Sequence, residues 1–303
     1  MDGGGRRARV SPLVSPSRID APPDAATDAL AGVDVGASLV KLALRRAGDT
    51  TALETHPAAQ VEAVARRLEA AGATRVALTG GGAPRLSRLL ACDKLSVSEF
   101  DAWSRGARSL LRDRGAPLQR FLLVSVGTGT SAMLVDGEQV QRVGGTALGG
   151  GTLLGLGRAL LGGSDFEQIA ALAATGDRRR VDLLISDVYP EGDFLLPGPV
   201  NAASFAKLAR GAEHEPSDLA HGLMGLIGEN VALICCGLAA AAGIEPIVFG
   251  GTTLRNNPAL VAILRGACLA LGRQPSFLPE GEFVGALGAL ECMRPAASGD
   301  GLG

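Results

Sequence analysis

Short apolar runs separated by turn residues recur along the chain and predict the same strand–turn–strand unit at the start of each half. The two units consist of residues 30–35 and 39–44 around the turn 36–38, and of residues 121–126 and 131–135 around the turn 127–130. Further strands are predicted at 75–78, 96–98, 139–143, 247–249 and 276–278. Apolar positions at helical spacing, with capping or stop residues, predict helices at 61–71, 84–90, 99–114, 152–161, 165–174, 181–188, 204–209, 217–242, 258–271 and 282–292.

The repeated unit predicts an α/β protein with two lobes that face each other across a cleft. We expect an N-terminal lobe at 29–120 and a C-terminal lobe at 121–293. Residues 1–28 are rich in Arg, Pro, Ser and Asp and show no periodicity. This segment and residues 294–303 are therefore predicted to be disordered tails.

Composition narrows the classes of function. Hydrophobic residues make up 47% of the 303, enough for a substantial core, and the net charge of -2 comes without the basic stripe of a nucleic-acid surface. The apolar run 231–242 is shorter than the ~18 residues that a membrane span needs, so no span is predicted. None of the five cysteines belongs to a C-x-x-C pair, and Cys235 and Cys236 lie within the apolar run. This indicates buried thiols and a cytoplasmic location.

Two turns are suited to phosphate. Asp34 ends the first apolar run and Gly36 follows it, so a carboxylate and backbone N–H groups are presented together. Such a pair suits hydrated Mg²⁺ and phosphate oxygens. The turn that begins at Gly127 repeats this arrangement, as a cleft closing on a triphosphate from both sides requires. The chain contains no Walker A sequence, so this is not a P-loop protein.

Two further glycine-rich segments follow. Three glycines at 149–151 open a helix, whose N-terminus predicts an anion site. Gly250-Gly251-Thr252-Thr253 after a strand is, by itself, a common strand-to-helix turn.

None of the three histidines has metal-ligand partners at suitable spacing, and Ser125 and Ser131 lack a nearby His/Asp set. Neither a histidine metal site nor acyl chemistry is predicted.

Six motifs, in order over roughly residues 30–292, resemble those of type II pantothenate kinases. They are Ser98-Glu99-Phe100-Asp101-Ala102, residues 126–131, residues 142–152, Gly176-Asp177, Leu196-Pro197-Gly198 and residues 285–290. The resemblance implies a two-lobed actin-like ATPase fold, which is ribonuclease H-like, with a nucleotide cleft between the lobes. It implies ATP-dependent phosphorylation of pantothenate to 4′-phosphopantothenate, the first step of coenzyme A biosynthesis. It also implies a homodimer, for which the apolar helix 217–242 could supply the interface.

The same resemblance implies roles for individual residues. Glu99 corresponds to the catalytic base, Thr128 to the hydroxyl residue of the second phosphate turn, and Arg142 to the substrate-holding arginine. Mg²⁺ is expected at Asp34, through water. ATP-binding positions fall on Asp34, Gly36, Ser38, Lys41, Gly127, Thr128, Gly150, Gly151, Thr152, Phe166 and Thr252. One departure is Gly36-Ala37-Ser38, where the family often has Gly-Gly-Thr.

Several alternatives stay open at this point. By itself, Glu99 is a helix-start charge of the kind that favours the helix dipole, and Asp101 is a second acidic candidate. The chain could be a sugar-type kinase of the same superfamily, although it lacks the cysteine-rich zinc motif common there. An ATPase activator with an iron–sulfur cluster would need suitably placed bridging cysteines. A nucleotide-binding regulator without catalysis is the remaining class.

Overall fold

A computed structural model describes residues 29–46, 48, 50–163, 165–189 and 201–294. The predicted tail 1–28, residues 295–303 of the second tail and the motif Leu196-Pro197-Gly198 lie outside the described residues. The strands and helices are β1 Ala29–Val35, β2 Leu39–Arg45, β3 Ala52–Pro57, α1 Val61–Ala70, β4 Ala73–Thr79, α2 Ala83–Ser87, β5 Asp93–Ser96, α3 Glu99–Asp113, β6 Arg120–Val126, β7 Thr130–Asp136, β8 Gln139–Thr146, α4 Gly150–Leu161, α5 Phe166–Thr175, β9 Leu183–Leu184, α6 Ile185–Val188, β10 Asn201–Ala203, α7 Pro216–Ala241, β11 Ile247–Gly250, α8 Pro258–Ala270, β12 Pro275–Phe277 and α9 Val284–Glu291.

Two five-stranded sheets of the same topology form the two lobes. The first has the order β3-β2-β1-β4-β5 and the second, read in the corresponding direction, β8-β7-β6-β11-β12. In each sheet the first three strands along the chain pair antiparallel, and the last two are added in parallel. The repeat that the sequence showed only in its strand–turn–strand units thus extends over both sheets. The predicted α/β, two-lobed fold is confirmed.

Each sheet has its own hydrophobic core. In the first lobe, β1, β2 and β4 pack against α1 and α2 around Val33, Leu42 and Leu68. In the second lobe, α7 and α8 cover β6 and β11 around Leu122, Met224 and Phe249. Length and composition would let α7 span a membrane, but 56% of its most apolar window is buried inside the protein. That burial is typical of a core helix.

The last helix returns to the first lobe. α9 packs against β1 and α3, and Ala286, Ala289 and Leu290 are buried together with Ala43 and Ala77 of the first sheet. Backbone meets backbone at these contacts because glycines leave no side chain between the elements. A Cβ on Gly32 would collide with the carbonyl of Ala286, one on Gly106 with the carbonyl of Val284, and one on Gly288 with the carbonyl of Ala102. α3 in turn packs Trp103 and Leu111 against the second sheet, so α3 and α9 join the lobes.

Two predicted helices were wrong, and the strands β3 and β10 were not predicted. The helix at 181–188 is a short strand followed by a four-residue helix, because the fully buried Asp182 accepts a hydrogen bond from the amide of Phe205 at 2.9 Å. Phe205 has φ 59°, which no helix tolerates, so the helix at 204–209 is replaced by a single 3₁₀ turn at its end. β3 was missed because it is a half-exposed edge strand that pairs only with β2.

The glycine contacts of α9 generate a stability prediction. We expect Gly288→Ala to lower the free energy of unfolding by about 1–3 kcal/mol, since the added methyl group overlaps the backbone of α3. The matched control is Gly266→Ala in α8, where an added Cβ meets nothing within 4 Å. That change is expected to be neutral or to stabilise by about 0.4–1 kcal/mol. Urea denaturation of both variants measures the difference, and equal effects would contradict this packing.

Candidate active site

The loops at the carboxyl ends of the parallel strands converge on one cleft between the lobes. β1, β4 and β5 are parallel neighbours, as are β6 and β11, so their ends meet at the same edge of each sheet, where α/β proteins bind ligands. The cleft has a volume of about 1180 Å³. The predicted site residues that line it are Asp34, Gly36, Ser38, Lys41, Glu99, Gly127, Thr128, Arg142, Gly150, Gly151, Phe166 and Thr252. Thr152 does not line it; its hydroxyl donates to the carbonyl of Ala147 at 3.1 Å.

Asp34 is the buried carboxylate of the cleft. Asp34 is 5% exposed, and its Oδ2 lies 3.8 Å from Lys41 Nζ. Burial raises the pKa of Asp34; the ammonium of Lys41 opposes this rise and the negative charge of Glu99 adds to it. A Cβ on Gly80 or on Gly285 would lie 2.7 Å from one of the two carboxylate oxygens. Glycine at these two positions therefore lets the backbone close on the carboxylate from two sides.

The two phosphate-type turns meet across the cleft. The Ser38 hydroxyl of the first turn lies 3.4 Å from the Thr128 hydroxyl of the second, within hydrogen-bonding distance. Each turn is closed by the amide of its own first glycine. The amide of Gly36 donates to the carbonyl of Leu39 at 3.0 Å, and the amide of Gly127 donates to the carbonyl of Gly129 at 2.9 Å. Both hydroxyls thus face the same space.

The glycines that open α4 hold the second turn. The amides of Gly150 and Gly151 donate to the carbonyls of Gly127 and Thr128 at 2.8 and 2.9 Å. Thr253 adds a hydroxyl donor to the carbonyl of Gly127 at 2.8 Å. The sequence predicts an anion at these helix-start amides, but in this structure they donate to carbonyls of the protein itself. Glycine is needed here because two backbone segments approach closely: a Cβ on Gly149 would lie 2.8 Å from Gly127 O and Thr128 O.

Glu99 and Asp101 face different spaces. Ser98 caps α3: its hydroxyl accepts from the amide of Asp101 at 3.1 Å and donates to the Asp101 carboxylate at 2.7 Å. This pair holds Asp101 in a separate groove behind α3, whereas Glu99 lines the cleft. Among the described residues, Glu99 has no hydrogen-bond or ion-pair partner. Of these two carboxylates, only that of Glu99 is therefore available to a ligand in the cleft.

Among the residues that the structure describes, four cations line the cleft. Lys41 is paired with Asp34, Arg85 with Glu62 at 2.7 Å and Arg255 with Glu167 at 3.3 Å. Arg142 has no ion-pair partner in the described part of the chain. An unpaired guanidinium that faces a cleft is suited to an incoming anion.

Sequence reasoning missed several lining residues. Gly80-Gly81-Gly82 and Arg85 follow β4, and Arg255 and Glu167 lie on the second lobe. The three glycines after an apolar strand were the available signal for the first group, because the same pattern marked the other turns. Nothing local marks the Arg255–Glu167 pair, which joins two distant segments.

Three comparisons relate the chain to known proteins. A family model described as Fumble matches residues 50–291. A type II pantothenate kinase of Staphylococcus haemolyticus is 31% identical over 261 residues, which are 86% of this chain and 98% of that protein. Type II pantothenate kinases of Staphylococcus aureus strains show the same identity over 97% of their length.

Solved structures share the fold. Component A of (R)-2-hydroxyglutaryl-CoA dehydratase from Acidaminococcus fermentans has a TM-score of 0.59 at 20% identity and covers 87% of this chain and 96% of its own. The activator of 2-hydroxyisocaproyl-CoA dehydratase from Clostridium difficile, solved with bound ADPNP, has a TM-score of 0.59 at 17% identity and covers 86% and 92%. At such identities the likeness concerns the fold.

The buried carboxylate generates a pH-dependent prediction. Because the pKa of Asp34 is raised in the folded state, ionising it costs stability; the cost is absent below its ordinary pKa of 3.8 and complete above the folded-state value. We therefore expect Asp34→Asn to raise the thermal midpoint at pH 7 by a few degrees, with a gain that shrinks towards pH 4. Differential scanning calorimetry at both pH values measures this, and a lower midpoint at pH 7 would contradict it.

Proposed function

The chain belongs to the Fumble family, that of the type II pantothenate kinases, and from this membership we propose that it transfers the γ-phosphoryl group of ATP to the terminal hydroxyl of pantothenate. The product is 4′-phosphopantothenate, and the reaction begins coenzyme A biosynthesis. The observation that carries the proposal is the convergence of Asp34, Glu99, Thr128 and Arg142 on one cleft, in a chain that matches its relatives over almost their whole length.

Magnesium fits the acidic group of the cleft. Within the described residues no cluster of three His, Cys, Asp or Glu side chains could hold a metal by itself. Mg²⁺ is usually bound through one or two carboxylates, water and the phosphates of the substrate, and Asp34 supplies one such carboxylate. The ion would neutralise charge on the phosphates, and Asp34 would hold it through water.

The remaining polar groups are assigned to the nucleotide and the transferring group. Phosphoryl transfer depends mainly on positioning and charge neutralisation. Ser38 and Thr128 direct their hydroxyls to the phosphates from opposite lobes, and the unpaired Arg142 balances charge on the transferring group together with Thr128. The other proposed ATP-binding positions, all of which line the cleft, are Gly36, Lys41, Gly127, Gly150, Gly151, Phe166 and Thr252. Thr152 is not among them, because it does not line the cleft and its hydroxyl donates to the carbonyl of Ala147.

Glu99 is proposed as the general base. It lies at the first position of α3, where the Ser98 cap fixes the start of the helix, and its carboxylate is exposed to the cleft. A carboxylate without a protein partner can accept the proton of the acceptor hydroxyl as the oxygen attacks. Asp101 does not compete for this role because Ser98 binds it on the other side of α3.

Proteins with other activities share this fold, and the positions of the cysteines argue against one alternative, an ATPase activator with an iron–sulfur cluster. All five cysteines are described, and Cys235, Cys236 and Cys268 are buried in the second lobe. Burial raises the pKa of the Cys235 thiol to about 12. Thiols held in a core do not supply the bridging ligands that an iron–sulfur activator needs. Free, buried thiols also support the proposed cytoplasmic location.

A homodimer through α7 is part of the proposal. The helix leaves an apolar stripe uncovered: Leu233 is 59% exposed, and Gly237, Ala240 and Ala241 continue the exposed side. Leu160 of α4, which packs beside α7, is 43% exposed. Exposed apolar side chains on packed helices are typical of a subunit interface.

The base assignment is tested with Glu99→Gln, which keeps size and hydrogen-bonding reach but removes the proton acceptor. We expect pantothenate turnover to fall by about 10²–10⁴-fold, while ATP binding and the melting curve stay near those of the wild type. Asp101→Asn is the matched control and should retain turnover. The wild type should phosphorylate pantothenate and none of a panel of sugars; sugar turnover instead would point to the sugar-kinase alternative. Normal turnover in Glu99→Gln, with a loss of only about 0.3–1 kcal/mol in stability, would leave Glu99 as a helix-start charge.

The interface is tested with Leu233→Asp. We expect the wild type to sediment as a dimer and the variant as a monomer, because the new charge would be buried at the interface. Leu269→Asp changes a leucine that is 46% exposed on α8 and should leave the dimer intact. A monomeric wild type, or a dimeric Leu233→Asp variant, would show that α7 is not the interface.

A further inference from the structure

Trp103 is a buried indole at the edge of the cleft. It follows Glu99 by one turn of α3, so the two side chains lie on the same face of the helix, and both line the cleft. Trp103 is 5% exposed and packs with Val248 and Val284 in the core between α3 and the second sheet. A Cβ on Gly250 would lie 3.4 Å from its Cζ3. Close packing around the ring therefore fixes the direction of its N–H.

The indole N–H lies beside the buried carboxylate of Asp34. A Cβ on Gly285 would lie 2.7 Å from Asp34 Oδ2 and 3.1 Å from Trp103 Nε1. The two atoms thus border one space, which glycine at position 285 keeps free of a side chain. Among the described residues, no group accepts a hydrogen bond from this N–H. A tryptophan N–H at a buried position normally has a partner, so this donor is available to a ligand of the cleft.

Thr79 supplies a second polar group without a protein partner. It is the neighbour of Asp34 in the parallel register of β1 and β4, so the two side chains lie on the same face of the sheet. Thr79 is 1% exposed, and its Oγ1 has no hydrogen-bond partner in the described part of the chain. Buried polar groups that the protein does not satisfy are commonly satisfied by ordered water. The surroundings of the Asp34 carboxylate are therefore suited to bind water.

We propose that the indole N–H of Trp103 positions the water through which Asp34 holds the divalent ion, and thereby sets the affinity of the nucleotide-bound cleft for that ion. The inference rests on the proposed function and adds a positioning residue to it. The water accepts from Trp103 Nε1 and donates to Asp34 Oδ2, which leaves a lone pair for the cation. The indole suits this task because its nitrogen only donates, so the ring does not itself compete for the ion.

The test replaces the N–H without changing the shape of the ring. The chain contains one tryptophan, so biosynthetic incorporation of a tryptophan analogue alters this position alone. In 3-benzothienylalanine a sulfur atom stands where the indole has its N–H. We expect calorimetry to show an affinity for ADPNP with excess Mg²⁺ that is lower by about three- to tenfold, the effect of one hydrogen bond. The affinity for ADPNP in EDTA should be unchanged. Incorporation of 5-fluorotryptophan, which keeps the N–H, is the matched control and should preserve both affinities.

A second measurement uses the same indole as its reporter. Under excitation that selects tryptophan, the emission of the wild-type protein comes from Trp103 alone. Because the water that the N–H binds is ordered by the ion, we expect Mg²⁺ to change the emission of the ADPNP complex. Asp34→Asn should abolish this Mg²⁺-dependent change, since the asparagine no longer offers a charged acceptor, while the change caused by ADPNP in EDTA remains. An emission of the wild-type complex that does not respond to Mg²⁺ would overturn the inference.

The outcomes separate this inference from the proposed function. An unchanged affinity for ADPNP with Mg²⁺ in the sulfur analogue would overturn the inference. An equal loss of affinity in EDTA would do the same, because the N–H would then bind the nucleotide itself or only support the fold. A wild type that binds ADPNP with Mg²⁺ but does not phosphorylate pantothenate would overturn the proposed function, whereas the binding measurements would still decide the inference. A wild type that binds neither form of ADPNP would overturn both.

Discussion

The glycine contacts of α9 are the constraint on which the active cleft depends. α9 closes on β1 through Gly32 and Gly285 and on α3 through Gly106 and Gly288, at separations that no side chain permits. β1 ends beside Asp34, and α3 begins at Glu99. The last helix of the chain therefore sets the separation of the two carboxylates. Because glycine has no side chain, it lets these backbones approach closely, and that approach positions Asp34 and Glu99.

The same principle governs the glycine-rich turns. The amides of Gly36, Gly127, Gly150 and Gly151 bind carbonyls of the protein itself, so these segments are held rigid before a ligand arrives. Recognition then depends on side chains that the turns present: the Ser38 and Thr128 hydroxyls, the Asp34 and Glu99 carboxylates, and four cations. Because three of the cations already carry a carboxylate partner, a triphosphate brings more negative charge than the cleft can balance, which is why a divalent ion is part of the proposal.

The two-sheet frame is shared with dehydratase activators, and chemistry differs in the loops at the strand ends. A fold supports several activities because the parallel strands only deliver loops to one edge. In this chain the strand ends lead to Glu99 at the start of α3 and to Gly80 beside Asp34, while Cys235, Cys236 and Cys268 are buried in the core of the second lobe. Specificity therefore depends on the loops and side chains at the strand ends and not on the frame.

Much of this protein could be read from sequence because the relevant signals are local. Apolar runs followed by Gly, Ser and Thr identified both strand–turn–strand units. Apolar positions at helical spacing identified a helix from residue 99, and the structure begins α3 at Glu99 behind a Ser98 cap. Tertiary structure decided what depends on distant partners. β3 exists because β2 offers it an edge, and the predicted helices at 181–188 and 204–209 gave way because buried Asp182 binds the amide of Phe205. The return of α9 to the first lobe and the internal use of the glycine amides are likewise products of contacts between residues far apart in the chain, which no local pattern encodes.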